Sequence, residues 1–121
     1  MNLDRTAFLL IAHGSRLQEA NQEVFELASK LSEILGHSVH ACFLELAAPS
    51  IPQVIDLVLA SGVHRFKILP YFLTQGRHVQ QDIPKLLQSK INQYPQLEIQ
   101  MLDYLGAYPM LVELLGKIFR G

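Results

Sequence analysis

The stretch Phe8–Arg16, FLLIAHGSR, is the most informative segment about the fold of this chain, because it joins an uninterrupted apolar run to a polar cluster. Residues 8–12 are all apolar, which is typical of a short β-strand covered on both faces in a parallel sheet. A strand that only fills a core ordinarily ends at a turn residue, whereas this one ends at a titratable imidazole, His13. His13 is therefore a candidate metal ligand, a candidate base or a structural residue, and the other residues of the chain distinguish these interpretations.

The composition indicates one domain over residues 1–121, since 50% of the residues are hydrophobic and only 17% are charged. The formal net charge of -1 provides no broad basic surface for nucleic acid. No apolar run approaches the ~20 residues of a membrane span, and residues 1–7 lack the pattern of a signal peptide. We therefore expect a soluble cytoplasmic protein with no nucleic-acid or membrane partner.

Strand-like and helix-like patterns alternate along the chain. Strands are predicted at residues 8–12, at 38–46, within the segment RFKILPYFL at 65–73, where Pro70 stops the strand, and at 97–102. Helices are predicted at 17–35, from Ser50 to about Gly62, around 83–91 and at 108–119. Four βα units in a row predict an α/β fold with three layers, in which helices cover both faces of a four-stranded parallel sheet. We expect the flavodoxin-like strand order 2-1-3-4.

Local signals mark where several of these helices begin and end. Gly36 stands where a helix C-terminus favours glycine, and Ser50 and Gln53 have the spacing of a capping box. Asp82 is the expected N-cap of the third helix, since Pro84 fits only its first turn. The polar connection 73–82 is long for this chain, and long loops often carry function.

Three side chains that can bind a metal ion follow consecutive strands: His13 after the first, Glu45 at the end of the second, and His78 in the loop after the third. In parallel α/β sheets, ligands bind at the carboxyl ends of the strands, so these residues are expected at the same end of the sheet. Two imidazoles and one carboxylate form a site for a first-row divalent metal with open coordination positions.

Each of these residues also has a purely structural interpretation. His13 could be a hydrogen-bonded strand-end histidine, Glu45 a solvated residue, and His78 a surface residue of a polar loop; their coincidence at one end of the sheet favours a site. The remaining histidines fall at the opposite end of the sheet and are expected to be structural or solvent-facing: His37, His40 and His64.

The single cysteine, Cys42, lies within an apolar strand and is expected in the core. One cysteine excludes an intrachain disulfide, and it excludes any iron–sulfur or zinc site made only of cysteines from one chain.

Residues able to bind an anion flank the predicted metal site. Residues 14–17 open the first helix, whose amides and positive dipole end favour an anion, and we assign Ser15 to substrate binding with them. Arg16 and Arg77 flank the two histidines and could receive carboxylates, although both could be ordinary surface arginines. Gly76, next to Arg77, completes the predicted substrate-binding set.

At these positions the sequence resembles the CbiX/SirB family of sirohydrochlorin chelatases. The matching segments occur in the expected order and are LLIAHGSR at 9–16 with Asn21 downstream, FLELAAPSI at 43–51, and LPYFLTQGRHVQQDIP at 69–84. The third segment is the most specific, because the family shows a P-x-F-L…G-x-H…D-I-P run after its third strand. The resemblance covers nearly the whole chain and fades over the last twenty residues.

This resemblance implies a chelatase-like fold and an enzyme that inserts a divalent metal into sirohydrochlorin, in cobalamin- or siroheme-type biosynthesis. The family's metal-binding histidines correspond to His13 and His78, and its acidic position corresponds to Glu45. Co²⁺ is our first choice of metal, with Fe²⁺ and Ni²⁺ as alternatives; the metal is a substrate, and no permanent cofactor is expected. The chain resembles the short members, but it lacks a histidine-rich tract and the cysteine cluster of iron–sulfur relatives, so no cluster is expected.

The chemistry of metallation agrees with these residue types. The ring loses two pyrrole protons while the metal exchanges water for nitrogen, and a histidine that is neutral near pH 7 can hold the metal or accept a proton. A nearby carboxylate stabilises the positive charge. We therefore expect His13 and His78 to act in both metal binding and proton transfer, with Glu45 as the catalytic carboxylate of the metal site.

Two other functions remain open. A carrier protein could hold a tetrapyrrole or a metal at the same residues without turnover. A phosphohistidine phosphatase-like enzyme also places His-Gly after its first strand, but it needs an arginine before the histidine, where this chain has Ala12.

The sequence also predicts a homodimer. A flat tetrapyrrole needs a deep cleft, and one small domain provides a single wall of it. The last helix, YPMLVELLGKIF at 108–119, is apolar on more than one face, so it is either buried against its own sheet or covered by a partner.

Overall fold

The computed structural model describes residues 5–121, apart from the side chains of His78 and Gln80. Four strands alternate with four main helices. In chain order they are β1 (Thr6–Ala12), α1 (Gln18–Leu35), β2 (Val39–Phe43), α2 (Ile51–Ala60), β3 (Arg65–Pro70), α3 (Ile83–Gln93), β4 (Glu98–Met101) and α4 (Pro109–Arg120). A π-helical turn, His78–Asp82, precedes α3, and a 3₁₀ turn, Leu105–Ala107, precedes α4.

The strands form one parallel sheet in the order β2-β1-β3-β4, which confirms the predicted fold class and strand order. Strand β1 lies between β2 and β3, with Ile11 in register with Cys42 on one side and Pro70 on the other. Its continuous apolar run reflects this position, because neighbours on both faces cover its side chains. Leu9, Leu10 and Ile11 are all fully buried.

Helices cover both faces of the sheet. Leu9 and Ile11 of β1 belong to one core cluster with Ile55 of α2 and Ile83 of α3, which places those two helices on the same face. Lys90 of α3 reinforces this layer, since its Nζ donates to Asp56 Oδ1 of α2 at 2.6 Å.

Helix α1 lies on the opposite face. Its Phe25 ring meets Phe43 edge-on, with 5.4 Å between centroids, and Phe43 is in register with the buried Ala12. Neighbouring residues of a strand point to opposite faces, so Ala12 and Ile11 serve different helix layers.

Two of the predicted helix signals are present as hydrogen bonds or backbone geometry. Gly36 ends α1 in the left-handed conformation, with φ +68°. Ser50 and Gln53 form a capping box: Gln53 N donates to Ser50 Oγ at 3.3 Å, and Ser50 N donates to Gln53 Oε1 at 2.8 Å.

The predicted end of β2 is wrong, and one predicted cap lacks its hydrogen bond. Strand β2 ends at Phe43 and not at Leu46, because residues 44–49 form a loop that Phe43 N closes by donating to Pro49 O at 2.9 Å. Asp82 occupies the predicted N-cap position directly before α3, but its backbone is already helical, with φ -68° and ψ -47°, and its side chain makes no capping hydrogen bond. The π-helical turn continues directly into α3, so the residue before α3 is itself helical and its side chain is not needed to cap free amides.

The residues assigned to the core and to the amino end of the sheet lie where expected. Cys42 is fully buried, and this burial raises the pKa of its thiol to about 12. His40 is half-buried on β2, which lowers the pKa of its imidazole from the ordinary value of 6.5. His37 packs against Phe8 with 5.5 Å between ring centroids, and His64 is exposed before β3. Within residues 5–121, no helix has both the length and the apolar character needed to cross a membrane.

Candidate functional site

An imidazole and a carboxylate meet at the carboxyl end of the sheet. His13 directly follows β1, and Glu45 lies two residues beyond the end of β2, the strand paired with β1. His13 Nε2 and Glu45 Oε1 are 3.0 Å apart, and the two side chains are 46% and 52% exposed. The pair is therefore held together while it stays accessible to a ligand from solvent.

The backbone around the pair extends the pairing of β1 with β2 beyond the strands. Leu44 N donates to Ala12 O at 3.0 Å, and Glu45 N donates to His13 O at 3.1 Å. These two hydrogen bonds fix the relative position of the two connections. Because both bonds lie next to His13 and Glu45, they set the spacing of the backbone segments from which the imidazole and the carboxylate extend.

Gly14 permits this close approach. Its φ is +99°, and a Cβ atom built on it would lie 1.8 Å from the carbonyl oxygen of Glu45. Both facts require glycine at this position, since other residues rarely adopt this φ and none could avoid the oxygen without a backbone shift. The Gly that follows His13 in the sequence is thus explained by the packing of the two connections.

The loop between β1 and α1 is closed by a reciprocal pair of hydrogen bonds with Asn21. Ser15 N donates to Asn21 Oδ1 at 3.0 Å, and Asn21 Nδ2 donates to Ser15 O at 2.7 Å. The sequence pattern assigned Asn21 no role of its own; the signal was an amide side chain in the first turns of α1, six residues after Ser15. Asn21 holds the backbone that carries the His-Gly-Ser turn.

Ser15 also uses its side chain inside the loop. Leu17 N donates to Ser15 Oγ at 3.0 Å, which forms a side-chain turn just before α1 begins at Gln18. Two of the amides predicted to face an anion, those of Ser15 and Leu17, are therefore already hydrogen-bonded within the chain.

The ring nitrogens of His13 have different partners. Nε2 faces Glu45, and Nδ1 lies 3.3 Å from the carbonyl oxygen of Gly14. A carbonyl can only accept, so Nδ1 carries the proton when this contact is a hydrogen bond. Nε2 then carries a second proton, giving an imidazolium that donates to Glu45, or it offers its lone pair to a metal ion beside Glu45. Orientation of a histidine by a backbone carbonyl is the usual arrangement around a metal ligand.

The other predicted site residues lie on the connections at the same end of the sheet. Arg16 follows β1, Gly76 and Arg77 follow β3, and all three are exposed. The backbone of His78 begins the π-helical turn before α3, but its side chain lies outside the described part of the structure. Within the described side chains, no group of three histidine, cysteine, aspartate or glutamate residues is arranged to hold a metal.

The loop after β3 is anchored at its base. Tyr71 N donates to Ile11 O at 2.7 Å, and Gly106 N, from the 3₁₀ turn before α4, donates to Phe72 O at 3.0 Å. A Cβ atom on Gly106 would lie 1.7 Å from Leu73 O, so this contact also requires glycine. The turn before α4 thus supports the start of the loop that carries Arg77.

The His13–Glu45 pair is accessible to solvent, since about half of each side chain is exposed. The cavities described in the structure lie elsewhere: one of about 430 Å³ is lined by His37 and His40 at the amino end of the sheet. Another, of about 850 Å³, lies beside β2 and is lined by Phe25, Pro49 and Leu57 among others.

Comparison with known proteins gives consistent matches over most of the chain. The family model described as CbiX matches residues 7–120. A sirohydrochlorin ferrochelatase of Priestia megaterium is 31% identical over 110 residues, which are 90% of this chain and 41% of that relative. A sirohydrochlorin cobaltochelatase of Methanococcus aeolicus is 38% identical over 82 residues, 67% of this chain and 57% of that relative.

A solved structure has the same fold. A CbiX protein from Marinobacter aquaeolei VT8 superposes with a TM-score of 0.84 at 24% identity, covering 95% of this chain and 94% of that one. The two curated relatives are longer than this chain, which spans only about half of their length.

Proposed function

The chain belongs to the CbiX family, and on that premise we propose that it is a chelatase that inserts a divalent metal ion into sirohydrochlorin or a closely similar tetrapyrrole. The observation that carries this proposal is the His13–Glu45 pair, with 3.0 Å between Nε2 and Oε1 at an exposed end of the sheet. An imidazole beside a carboxylate suits a first-row divalent ion and leaves coordination positions for the ring nitrogens.

In this proposal His13, His78 and Glu45 hold the incoming metal ion and manage the protons of the reaction. Insertion exchanges the water on the metal for ring nitrogens and releases two pyrrole protons, so one M²⁺ replaces two H⁺ on the ring. Glu45 offsets the charge of the ion while it is held, and a neutral imidazole can accept a proton from the ring. The contact of His13 Nδ1 with Gly14 O supports this role, because it directs Nε2 toward Glu45.

The substrate's carboxylates are proposed to meet Arg16 and Arg77, with Ser15 and Gly76 shaping the loops that carry them. Exposure of both arginines on connections at the same end of the sheet supports this assignment. Since exposed charges are screened by salt, the affinity for sirohydrochlorin should fall as ionic strength rises. An affinity that stays constant between low and high salt would remove these arginines from the site.

The choice of metal follows from chemistry only in part. Names of relatives include both a ferrochelatase and a cobaltochelatase, and a site of imidazole and carboxylate ligands does not select strongly among Co²⁺, Fe²⁺ and Ni²⁺. We retain Co²⁺ as the first choice. The test is multiple-turnover metallation, followed by the absorption spectrum of the tetrapyrrole, with each metal in turn and the ring in excess over protein.

The same assay separates the chelatase from a carrier protein. An enzyme converts many equivalents of ring, whereas a carrier binds one equivalent of ring or metal and stops. The phosphatase-like alternative has less support, because the position before His13 is Ala12, which is buried in β1 and offers no cation for a phosphoryl group.

We propose that the chain acts as a homodimer, because helix α4 is uncovered. None of the twelve residues of α4, all of which the structure describes, is buried. Its exposed apolar side chains are Met110, Val112, Leu114, Leu115, Ile118 and Phe119. A second copy of the chain would cover this surface and supply another wall for a flat ligand.

Light scattering tests the dimer directly. We expect a mass of twice 13.7 kDa for the wild type. Leu114→Glu should shift it toward 13.7 kDa, whereas the control Ile34→Glu, at an exposed apolar position on α1, should leave the dimer intact. An active wild type that stays at 13.7 kDa with ring and metal present would exclude the dimer.

A further inference from the structure

Leu46 has an unusual backbone conformation next to the site. It follows Glu45 directly, and its φ is +65°, in the left-handed region that favours glycine. Among the described residues other than glycine, it alone has a positive φ. Its side chain is 53% exposed, so an apolar group is held at the surface beside the carboxylate.

The loop explains the turn at Leu46, but it does not explain the leucine. Glu45 N is bonded to His13 O, and Phe43 N is bonded to Pro49 O, so the chain must reverse direction within residues 45–49. Glycine would make this turn without the steric cost that a leucine carries. A strained backbone with an exposed side chain points to a function for that side chain.

Other exposed apolar residues stand at the same end of the sheet. Leu17 lies on the connection after β1, and Leu73 lies on the connection after β3; both are largely exposed. With Leu46 after β2, each of the three connections that carry the predicted ligands also presents a leucine. Leu17 directly follows Arg16, and Leu73 is on the same loop as Arg77, so these two connections each carry an apolar and a cationic residue.

We infer that Leu46 is a substrate-contacting residue that binds the flat face of the macrocycle next to the His13–Glu45 pair. This inference rests on the proposed chelatase function. Sirohydrochlorin has a flat macrocycle with carboxylates at its periphery, so a leucine beside the His13–Glu45 pair, with arginines on the neighbouring connections, matches its chemistry. Leu17 and Leu73 would extend the same contact.

The decisive variant is Leu46→Gly, since it removes the side chain and accepts the backbone. We expect the KM for sirohydrochlorin to rise about tenfold, with kcat and the KM for the metal unchanged, because apolar contact made equally in ground and transition states affects binding alone. The urea midpoint of unfolding should stay the same or rise, since glycine adopts a positive φ at little cost. Leu46→Met keeps an apolar side chain, so its KM for sirohydrochlorin should stay near the wild-type value.

A structural role gives the opposite pattern. If Leu46 only stabilises the loop, Leu46→Gly lowers the urea midpoint and leaves the KM for sirohydrochlorin at the wild-type value, which overturns the inference. The control Ile34→Ala removes an exposed apolar side chain from α1, away from the site, and should change neither quantity. A wild type that neither binds nor metallates sirohydrochlorin refutes the proposed function itself, and the role of Leu46 is refuted with it.

Discussion

Replacement of Gly14 by alanine tests the geometry of the site most severely. A Cβ atom would lie 1.8 Å from Glu45 O, against a lower limit of 3.0 Å for real contacts, so the two connections must separate by about 1.2 Å. Alanine at φ +99° costs about 1 kcal/mol, and the forced repacking costs about 1–3 kcal/mol more. We expect a total loss of about 2–4 kcal/mol in urea denaturation.

The effect on activity should be larger than the effect on stability suggests. A displacement of about 1 Å between reacting groups can reduce a rate about 100-fold, and this shift acts on the His13–Glu45 distance itself. Gly62→Ala is the matched control, because Gly62 has φ +91° but a Cβ atom added to it would meet nothing within 4 Å. It should lose about 1 kcal/mol and keep full metallation activity. Equal metallation activity of the Gly14→Ala and Gly62→Ala variants, under conditions where both are folded, would show that the contact of Gly14 with Glu45 O does not control the site.

Three further predictions concern single side chains. Asn21→Ala removes both hydrogen bonds to Ser15 and should lower the free energy of unfolding by about 1–3 kcal/mol in urea denaturation. An unchanged urea midpoint would show that these two bonds do not stabilise the loop. Burial lowers the pKa of His40, so the unfolded chain is protonated first and stability should fall as the pH drops below 6.5; a slope identical in His40→Gln would contradict this. The Cys42 thiol, with its pKa raised to about 12, should react with a thiol reagent only on unfolding, and rapid labelling of native protein would disagree.

Much of the fold was predictable because its signals are local. The apolar run 8–12 is long enough to indicate a doubly covered strand, and the capping box at Ser50 and Gln53 involves residues three apart. The end of β2 was not predictable in this way. The residues after Phe43 continue an apolar pattern, and the hydrogen bond from Phe43 N to Pro49 O, which closes the loop there, is set by the folded chain.

The site was predictable as a set of positions but not as a geometry. Topology places the residues after β1 and β2 side by side, so His13 and Glu45 were expected at the same end of the sheet. Their 3.0 Å contact depends on the register of β1 with β2 and on the absence of a side chain at Gly14. The left-handed backbone of Leu46 could not be predicted from the sequence, because leucine rarely adopts a positive φ.

If the chain is a tetrapyrrole chelatase, loss of the His13 imidazole should stop metallation without unfolding the protein. Multiple-turnover metallation of sirohydrochlorin is measured for the wild type, for His13→Ala and for the control His64→Ala, which alters an exposed histidine at the opposite end of the sheet. We predict that the wild type and His64→Ala turn over at equal rates, whereas His13→Ala loses about 100-fold or more while remaining folded. A His13→Ala variant as active as His64→Ala would contradict the account.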